Sequence, residues 1–520
     1  MNWENLPKDF EPIMAEDSYD IVIPKAGAMI ESLRAYGYTL NTAIADLIDN
    51  SISAHAKNIW IQMHWAGETS WISIIDDGNG MGESVLKNAM RPGSDSPIEE
   101  RSKTDLGRFG LGLKTASFSQ CRSLTVASKT NDKEVFLRRW DLDYVVKHNE
   151  WRLLRDARKG AEARFSKLDT LAHGTVVLLE NLDRLCNRQN IDNQLHRRKF
   201  FDHITILSQH LSMVFHRFLE GRDGLNIFIN GVTDDQKLKP WDPFLSSKDA
   251  TSSQPEEKKN FHDDVVTVKG YVLPHKDKLS TDDHEIAAGL GGWNDQQGFY
   301  VYRNKRLLVA GSWLGLGGRR HGWTKEEHYK LARIKIDITN TMDFDWKIDV
   351  KKSAAVPPPL VAEWLEGYAG HVRKEAREVF SHRGMHGRRQ EKMDIVKLWK
   401  ASTRGGAQIY KIDRQSDLIK GIFRRSEHLK SDIEAMLRLL EETVPVQQIW
   451  LDMAEHSERS NDPMGGLTEK QVMDLVETTL SVITGTDKKP DKVTIDIICS
   501  MECFTGYADV IRAKYLGVER

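Results

Sequence analysis

The sequence predicts a mixed α/β chain that becomes helical towards its C-terminus, and three observations carry that prediction. Apolar residues recur at helical spacing over 27–56 and then switch to strict alternation at Ile59, Ile61 and Met63. Short alternating or apolar runs recur on both sides of a polar stretch at 245–262. Beyond the breaker Pro357-Pro358-Pro359, helical spacing dominates. At 520 residues the chain is also too long for one core. The expected division is an N-terminal arm at 1–38, an α/β domain at 39–220, a second α/β domain at 221–356 and an all-helical domain at 357–520.

In chain order, Ile30, Leu33, Leu40, Ile44, Leu47 and Ile48 form the stripe of the first helical stretch. Strands follow at 59–63 and 71–75. A glycine-rich segment from Gly78 to Gly112 is interrupted by a short helix near 85–90. Strands are expected at 122–130, 134–140 and 174–180, then a long helix over 195–219 and a strand at 225–230 that ends in the turn pair Asn230-Gly231. The stretch 245–262 reads as a loop. Strands return at 264–273, 298–309 and 333–339, and the strongest later helices are 360–381, 425–442 and 468–483.

Composition excludes several classes. Lys+Arg 74 against Asp+Glu 76 leaves a net charge of -2, which rules out a globally basic coat for nucleic acid but not a local basic face. With 40% hydrophobic and 29% charged residues the chain is an ordinary globular one. No apolar run approaches the roughly 18 residues of a membrane span, and acids interrupt the first thirty residues where a signal peptide would be apolar. Cys121, Cys186, Cys499 and Cys503 are too few and too scattered for a disulfide framework or a four-thiolate zinc site. A reduced, cytoplasmic protein without a membrane partner is the expectation.

Three segments carry residue types that together could manage a nucleotide. In Asp46-Leu47-Ile48-Asp49-Asn50, Asp46 and Asn50 project from one helix face, where a carboxylate can orient water and a carboxamide can ligate a divalent cation. Asp49 lies about 100° away and is expected to point elsewhere. Asp76-Asp77-Gly78-Asn79-Gly80-Met81 follows a buried strand; a carboxylate there can accept from an exocyclic amine, although the same residues also suit a hairpin turn. Gly107-Arg108-Phe109-Gly110-Leu111-Gly112-Leu113-Lys114 leads into a helix, whose first N–H groups suit phosphate oxygens. It is neither a Walker A loop nor a dinucleotide fingerprint.

The order of the three segments, followed by His173-Gly174-Thr175 and its strand, resembles the gyrase, heat-shock chaperone, histidine kinase and MutL (GHKL) ATPase superfamily over residues 40–181. Asn50 to Ile59 is similar to MutL and MORC proteins, while Gly110 to Phe118 and Gly174 to Leu182 look most like MORC. Gly298 to Leu307 resembles the strand pair of the transducer domain that follows such ATPases, which extends the likeness loosely to about residue 356.

The resemblance implies a Bergerat-type α+β sandwich, an α/β transducer domain and the helical C-terminal domain. It implies ATP with Mg²⁺, Asn50 on the metal and Asp76 on the adenine amino group. Gly78, Gly80, Met81 and Thr175 would shape the adenine pocket. Gly107, Gly110, Leu111, Gly112 and Lys114 would bind phosphates behind a lid at 91–109. Asp46 stands where most hydrolysing members carry glutamate and is one methylene shorter. Lys352 matches the lysine that the transducer sends to the γ-phosphate, with Lys351 as the runner-up.

The resemblance also implies an ATP-driven homodimer that clamps DNA, as a subunit of a prokaryotic anti-phage defence or restriction system. A nucleotide-gated scaffold without turnover and a signalling histidine kinase are the alternatives. Two basic runs could meet DNA phosphates. Residues 303–337 hold Arg303, Lys305, Arg306, Arg319, Arg320, Lys325, Lys330, Arg333 and Lys335, interleaved with Trp313, Trp323 and Tyr329. The second run, at 373–400, includes Arg373, Lys374, Arg377, Arg383, Arg388, Arg389 and Lys392. Solvated charged faces are the plainer reading of both.

Overall fold

Gly37, in the left-handed region at φ +72, splits the first helical stretch into α1 (Ala26–Arg34) and α2 (Leu40–Ser53). Thr39 restarts the helix as a capping box: its hydroxyl accepts from Thr42 N–H, and the Thr42 hydroxyl accepts from Thr39 N–H. The computed structural model describes residues 24–93, 112–131, 134–186, 191–222, 224–318, 322–349, 351–381, 398–404, 407–449, 464, 466–485, 490–501 and 503–517. The chain divides into two compact units, Met1–Gly384 and Met385–Arg520.

In the first unit, β1 (Asn58–His64) buries Ile59, Ile61 and Met63, as their alternation requires. With β2 (Trp71–Asp76), β3 (Ser123–Lys129), β4 (Val135–Asp141), β5 (Gly174–Glu180) and β6 (Asn226–Ile229) it forms a six-stranded sheet of order β4-β3-β5-β2-β1-β6. Only β1 and β6 run parallel. Helices α3 (Glu83–Met90), α4 (Gly112–Gln120) and α5 (Leu142–His148) join α1 and α2, and the long predicted helix spans Gln194–Val214. One sheet face and the helices share the main core, with Ile44, Leu47, Ile48, Ile72, Ile74, Phe118 and Leu207. Ile75 points to the opposite face, beside Ala127, Leu168 and Val176. The period of two therefore returns Asp76 to the helix side.

The second sheet has the order β11-β10-β12-β9-β7, with β8 paired to β9. Its strands are β7 (Ser252–Ser253), β8 (Glu257–Phe261), β9 (Asp264–Val272), β10 (Gly298–Arg303), β11 (Arg306–Ser312) and β12 (Ala332–Ile338). The polar stretch read as a loop thus supplies β7 and β8. The helix Pro359–Ser381, expected to open the C-terminal domain at 357, instead lays Val361, Leu365, Val372 and Ala376 on this sheet's core beside Ile334, Ile336 and Trp346. Tyr368 on that helix accepts the Gly270 N–H at 2.8 Å and donates to the Pro255 carbonyl at 3.0 Å.

Among its described residues the second unit is mainly helical and also holds a hairpin of β13 (Trp399–Arg404) and β14 (Ala407–Ile412), which corrects the all-helical expectation. Helices Glu469–Thr484, Lys492–Cys499 and Ala508–Leu516 bury Val472, Val476, Ile495, Ile498 and Ile511 together. All four cysteines are free. Among the described residues no helix is long and apolar enough to cross a membrane.

Candidate functional site

At one end of the first sheet three polar residues stand in a row. Asp76 closes β2 opposite Thr175 of β5, and Thr175 lies opposite Ser128 of β3. The Ser128 hydroxyl is 2.8 Å from Thr175 Oγ1, 3.2 Å from the Gly174 carbonyl, and accepts the Met81 N–H at 2.8 Å. Asp76 is buried; its Oδ2 accepts from the Ser51 hydroxyl at 2.8 Å and its Oδ1 from the Gly78 N–H at 2.9 Å. Burial pushes the Asp76 carboxyl up, against the pull of these two donors. His173 closes the loop from below, its Nδ1 lying 2.6 Å from the Gly78 carbonyl. Gly80 sits at φ +69 with the place of a Cβ only 1.9 Å from the Lys129 carbonyl oxygen, so no other residue fits there.

Beside this row, α2 presents Asp46, Asp49 and Asn50. Asp46 is buried and both its oxygens carry donors: Lys352 Nζ at 2.7 Å from Oδ1 and the Tyr38 hydroxyl at 3.0 Å from Oδ2. Gly112 backs directly onto the same carboxylate, since a Cβ there would lie 2.8 Å from Oδ2. Asn50, one turn on, is exposed.

Asp49, expected to point away, is instead buried against the second sheet. It accepts from Lys352 Nζ at 2.7 Å and from Arg306 Nε at 3.3 Å. Burial alone would raise the Asp49 carboxyl, but Arg306 and Lys352 hold it below the ordinary range. Burial, reinforced by Asp46, pushes the Tyr38 phenol well above its usual value. The lysine that reaches Asp46 is Lys352, at φ +53, and the chain delivers it from beyond the second sheet.

Gly107, Gly110, Leu111 and most of the expected lid at 91–109 lie outside the described residues. Gly112 opens α4, and the buried Lys114 donates to the Ala89 carbonyl of α3 at 3.0 Å. Among the described residues no group of three or more His, Cys, Asp and Glu side chains is arranged to hold a metal. The donor set nevertheless fits Mg²⁺ shared with a phosphate ligand. Mg²⁺ takes hard oxygens and keeps several waters, and it needs only one or two protein ligands; Asn50 offers one such oxygen to solvent.

In the first basic run most of the described cations are engaged within the fold, whereas in the second Lys374 and Arg377 are exposed. Arg303 is buried on Asp343, Arg306 on Asp49, and Arg333 on the carbonyls of Pro243 and Ala287. Lys325, Lys330 and Lys335 pair with Asp295, Glu327 and Asp337. Arg373 is enclosed by Trp313, Trp323 and Tyr329, with its guanidinium carbon 3.7 Å from the Tyr329 ring centre. Arg319, Arg320, Arg383, Arg388, Arg389 and Lys392 lie outside the described residues.

Residues 38–175 match the family described as histidine kinase-, DNA gyrase B- and HSP90-like ATPases. A DNA mismatch repair protein MutL of Clostridium perfringens is 34% identical over 96 residues, which are 18% of this chain and 14% of that protein. A second MutL, of Clostridium botulinum strain Kyoto, is 30% identical over 112 residues, 20% of this chain and 16% of the relative. The ATPase morc-1 of Caenorhabditis elegans is 30% identical over 88 residues, 17% of this chain and 10% of its own length. The likeness therefore spans a small part of these relatives. It agrees with the resemblance carried by the motifs, and the matched stretch holds Asp46, Asn50, Asp76, Lys114 and Thr175, while Lys352 lies beyond it.

Proposed function

We propose that this chain binds ATP with Mg²⁺ and hydrolyses it to ADP and phosphate. The observation that carries the reading is the meeting of Asp46 with Lys352 one turn before the exposed Asn50, beside the Asp76–Thr175–Ser128 row. In this reading the Asp76 carboxylate accepts from the adenine amino group, with Gly78, Gly80, Met81 and Thr175 shaping the pocket around the ring. Phosphates lie towards the start of α4, served by Gly107, Gly110, Leu111, Gly112 and Lys114. Asn50 would hold Mg²⁺, which when bound neutralises charge on the phosphate oxygens. Asp46 orients a water and takes its proton as the water oxygen bonds to the γ-phosphorus and the bond to the bridging oxygen breaks. Lys352 supplies positive charge to the developing phosphate.

We further infer an ATP-driven homodimer acting as a clamp on DNA within a prokaryotic anti-phage defence or restriction system; of the arm expected at 1–38, only the part before α1 crosses to the partner, because Ile30, Leu33 and Tyr38 pack into their own domain's core. The MutL relatives, named as DNA mismatch repair proteins, support the DNA part of this reading. A second reading, a nucleotide-gated scaffold without turnover, is favoured by one observation: Asp46 is short and both its oxygens already carry donors.

Calorimetric titration of ATP with Mg²⁺, paired with steady-state phosphate release, separates the two. Hydrolysis predicts that Asn50→Ala abolishes binding and that Asp46→Asn keeps binding but loses turnover, because a carboxamide takes no proton from water. Unchanged affinity in Asn50→Ala removes the nucleotide assignment; tight binding with no release by the parent chain selects the scaffold.

A further inference from the structure

Exposed positive charge gathers at one cleft of the first unit. A cleft of about 630 Å³ opens where α2 ends, between residues 217–222 and the β10–β11 hairpin tip. His55, Lys57, Arg217, Arg222 and Lys305 line it against the acid Glu220. Arg217 is committed to Asp337. Lys57, Arg222 and Lys305 are exposed, and among the described residues no carboxylate pairs with them. Asp223 lies outside the described residues.

Backbone conformation marks the same place. His55 follows the end of α2 at φ +61, a position where helices favour glycine. Asn304 and Lys305 form the hairpin tip at φ +48 and +72, and the second tip position also favours glycine. At two separate turns the chain thus sets a nitrogen-bearing side chain on strained backbone, and both line one cleft. The cations stand exposed on the walls, which suits a solvated, extended polyanion that exchanges its counterions for lysine and arginine.

We propose that this cleft binds the phosphodiester backbone of a nucleic acid. The proposal rests on the DNA-clamp reading and gives it a site distinct from the nucleotide pocket. Lys57, Arg222 and Lys305 contact successive phosphates without reading bases, so binding here is insensitive to sequence.

The test uses the full chain and a fluorescent DNA duplex, with affinity measured across a salt series. Lys305→Gly is the informative variant, because glycine suits φ +72 and the fold is kept or stabilised. Expected are several-fold weaker duplex binding and a salt slope shallower by about 0.9 for each cation removed in Lys305→Gly and Arg222→Ala. Melting temperature and ATP affinity are expected not to fall. Duplex affinity and slope unchanged in both variants overturn the proposal, as does a parent chain that binds no duplex at low salt. Calorimetry with inorganic phosphate distinguishes the other source of the same chemistry: saturation by phosphate that depends on Lys305, with duplex binding unaltered, replaces the nucleic acid with a small anion. ATP affinity measured on the same samples tells failure here from failure of the nucleotide reading.

Discussion

Lys352 Nζ lies 2.7 Å from Asp46 Oδ1, an ion pair that joins residues 306 positions apart in the chain. The same ammonium lies 2.7 Å from Asp49 Oδ2, and Arg306 closes the group from β11. One lysine thus serves two buried carboxylates on neighbouring turns of α2, tying the second sheet to the helix that carries Asn50. The Asp46–Lys352 part of the site therefore exists only when the second sheet is packed on α2.

Lys352→Met leaves Asp46 and Asp49 facing each other without their shared cation. Breaking a buried pair in this way costs roughly 3 kcal/mol. Denaturant unfolding is expected to show a loss of that order, together with a fall in phosphate release. Adding Asp49→Asn to Lys352→Met should recover part of the stability, because it removes one of the stranded charges. Strictly additive losses would mean that the two residues do not interact.

Asp49 also sets a pH dependence. Arg306 and Lys352 hold its carboxyl below the ordinary 3.8 despite burial, so its proton affinity is lower folded than unfolded. The stabilisation is complete above the unfolded value and is lost as pH falls through the folded one. The stability gap between the parent chain and Asp49→Asn should be constant from neutral pH down to about pH 5 and close below about pH 4. A gap that persists unchanged at pH 3 would refute the assignment of charge to Asp49.

Gly80→Ala and Gly82→Ala form a matched pair. At Gly80 an added Cβ meets the Lys129 carbonyl at 1.9 Å on backbone at φ +69, whereas at Gly82 nothing lies within 4 Å. The first substitution is expected to cost more than about 2 kcal/mol and to lower nucleotide affinity. The second should leave both within error. Thermal melts and ATP titrations of the two variants check this directly.

A non-hydrolysable ATP analogue is expected to shift the chain to a dimer in mass measurements, ADP is not, and deletion of residues 1–20 should abolish the shift. A nucleotide drives association only by binding the closed dimer better than the open monomer. A constitutive dimer whose mass ignores nucleotide would remove the switch.

Local chemistry decided much of this protein in advance. Alternation at Ile59, Ile61 and Met63 set β1, the spacing over 360–381 set a helix, and Asp46, Asn50, Asp76, Gly80 and Thr175 stood in readable motifs, because each depends on neighbours a few positions away. Other outcomes needed the assembled fold. Helical geometry alone turned Asp49 away from the site, yet packing of the second sheet on α2 made that direction the interior, where Arg306 and Lys352 balance its charge. The run of arginines at 303–337 looked like one basic face because sequence records order and not depth. Burial withdrew Arg303, Arg306 and Arg333 into ion pairs and carbonyl contacts and left Lys305 exposed at a hairpin tip. Which charges meet water is settled by contacts between residues 40 to 257 positions apart, and the local sequence does not encode it.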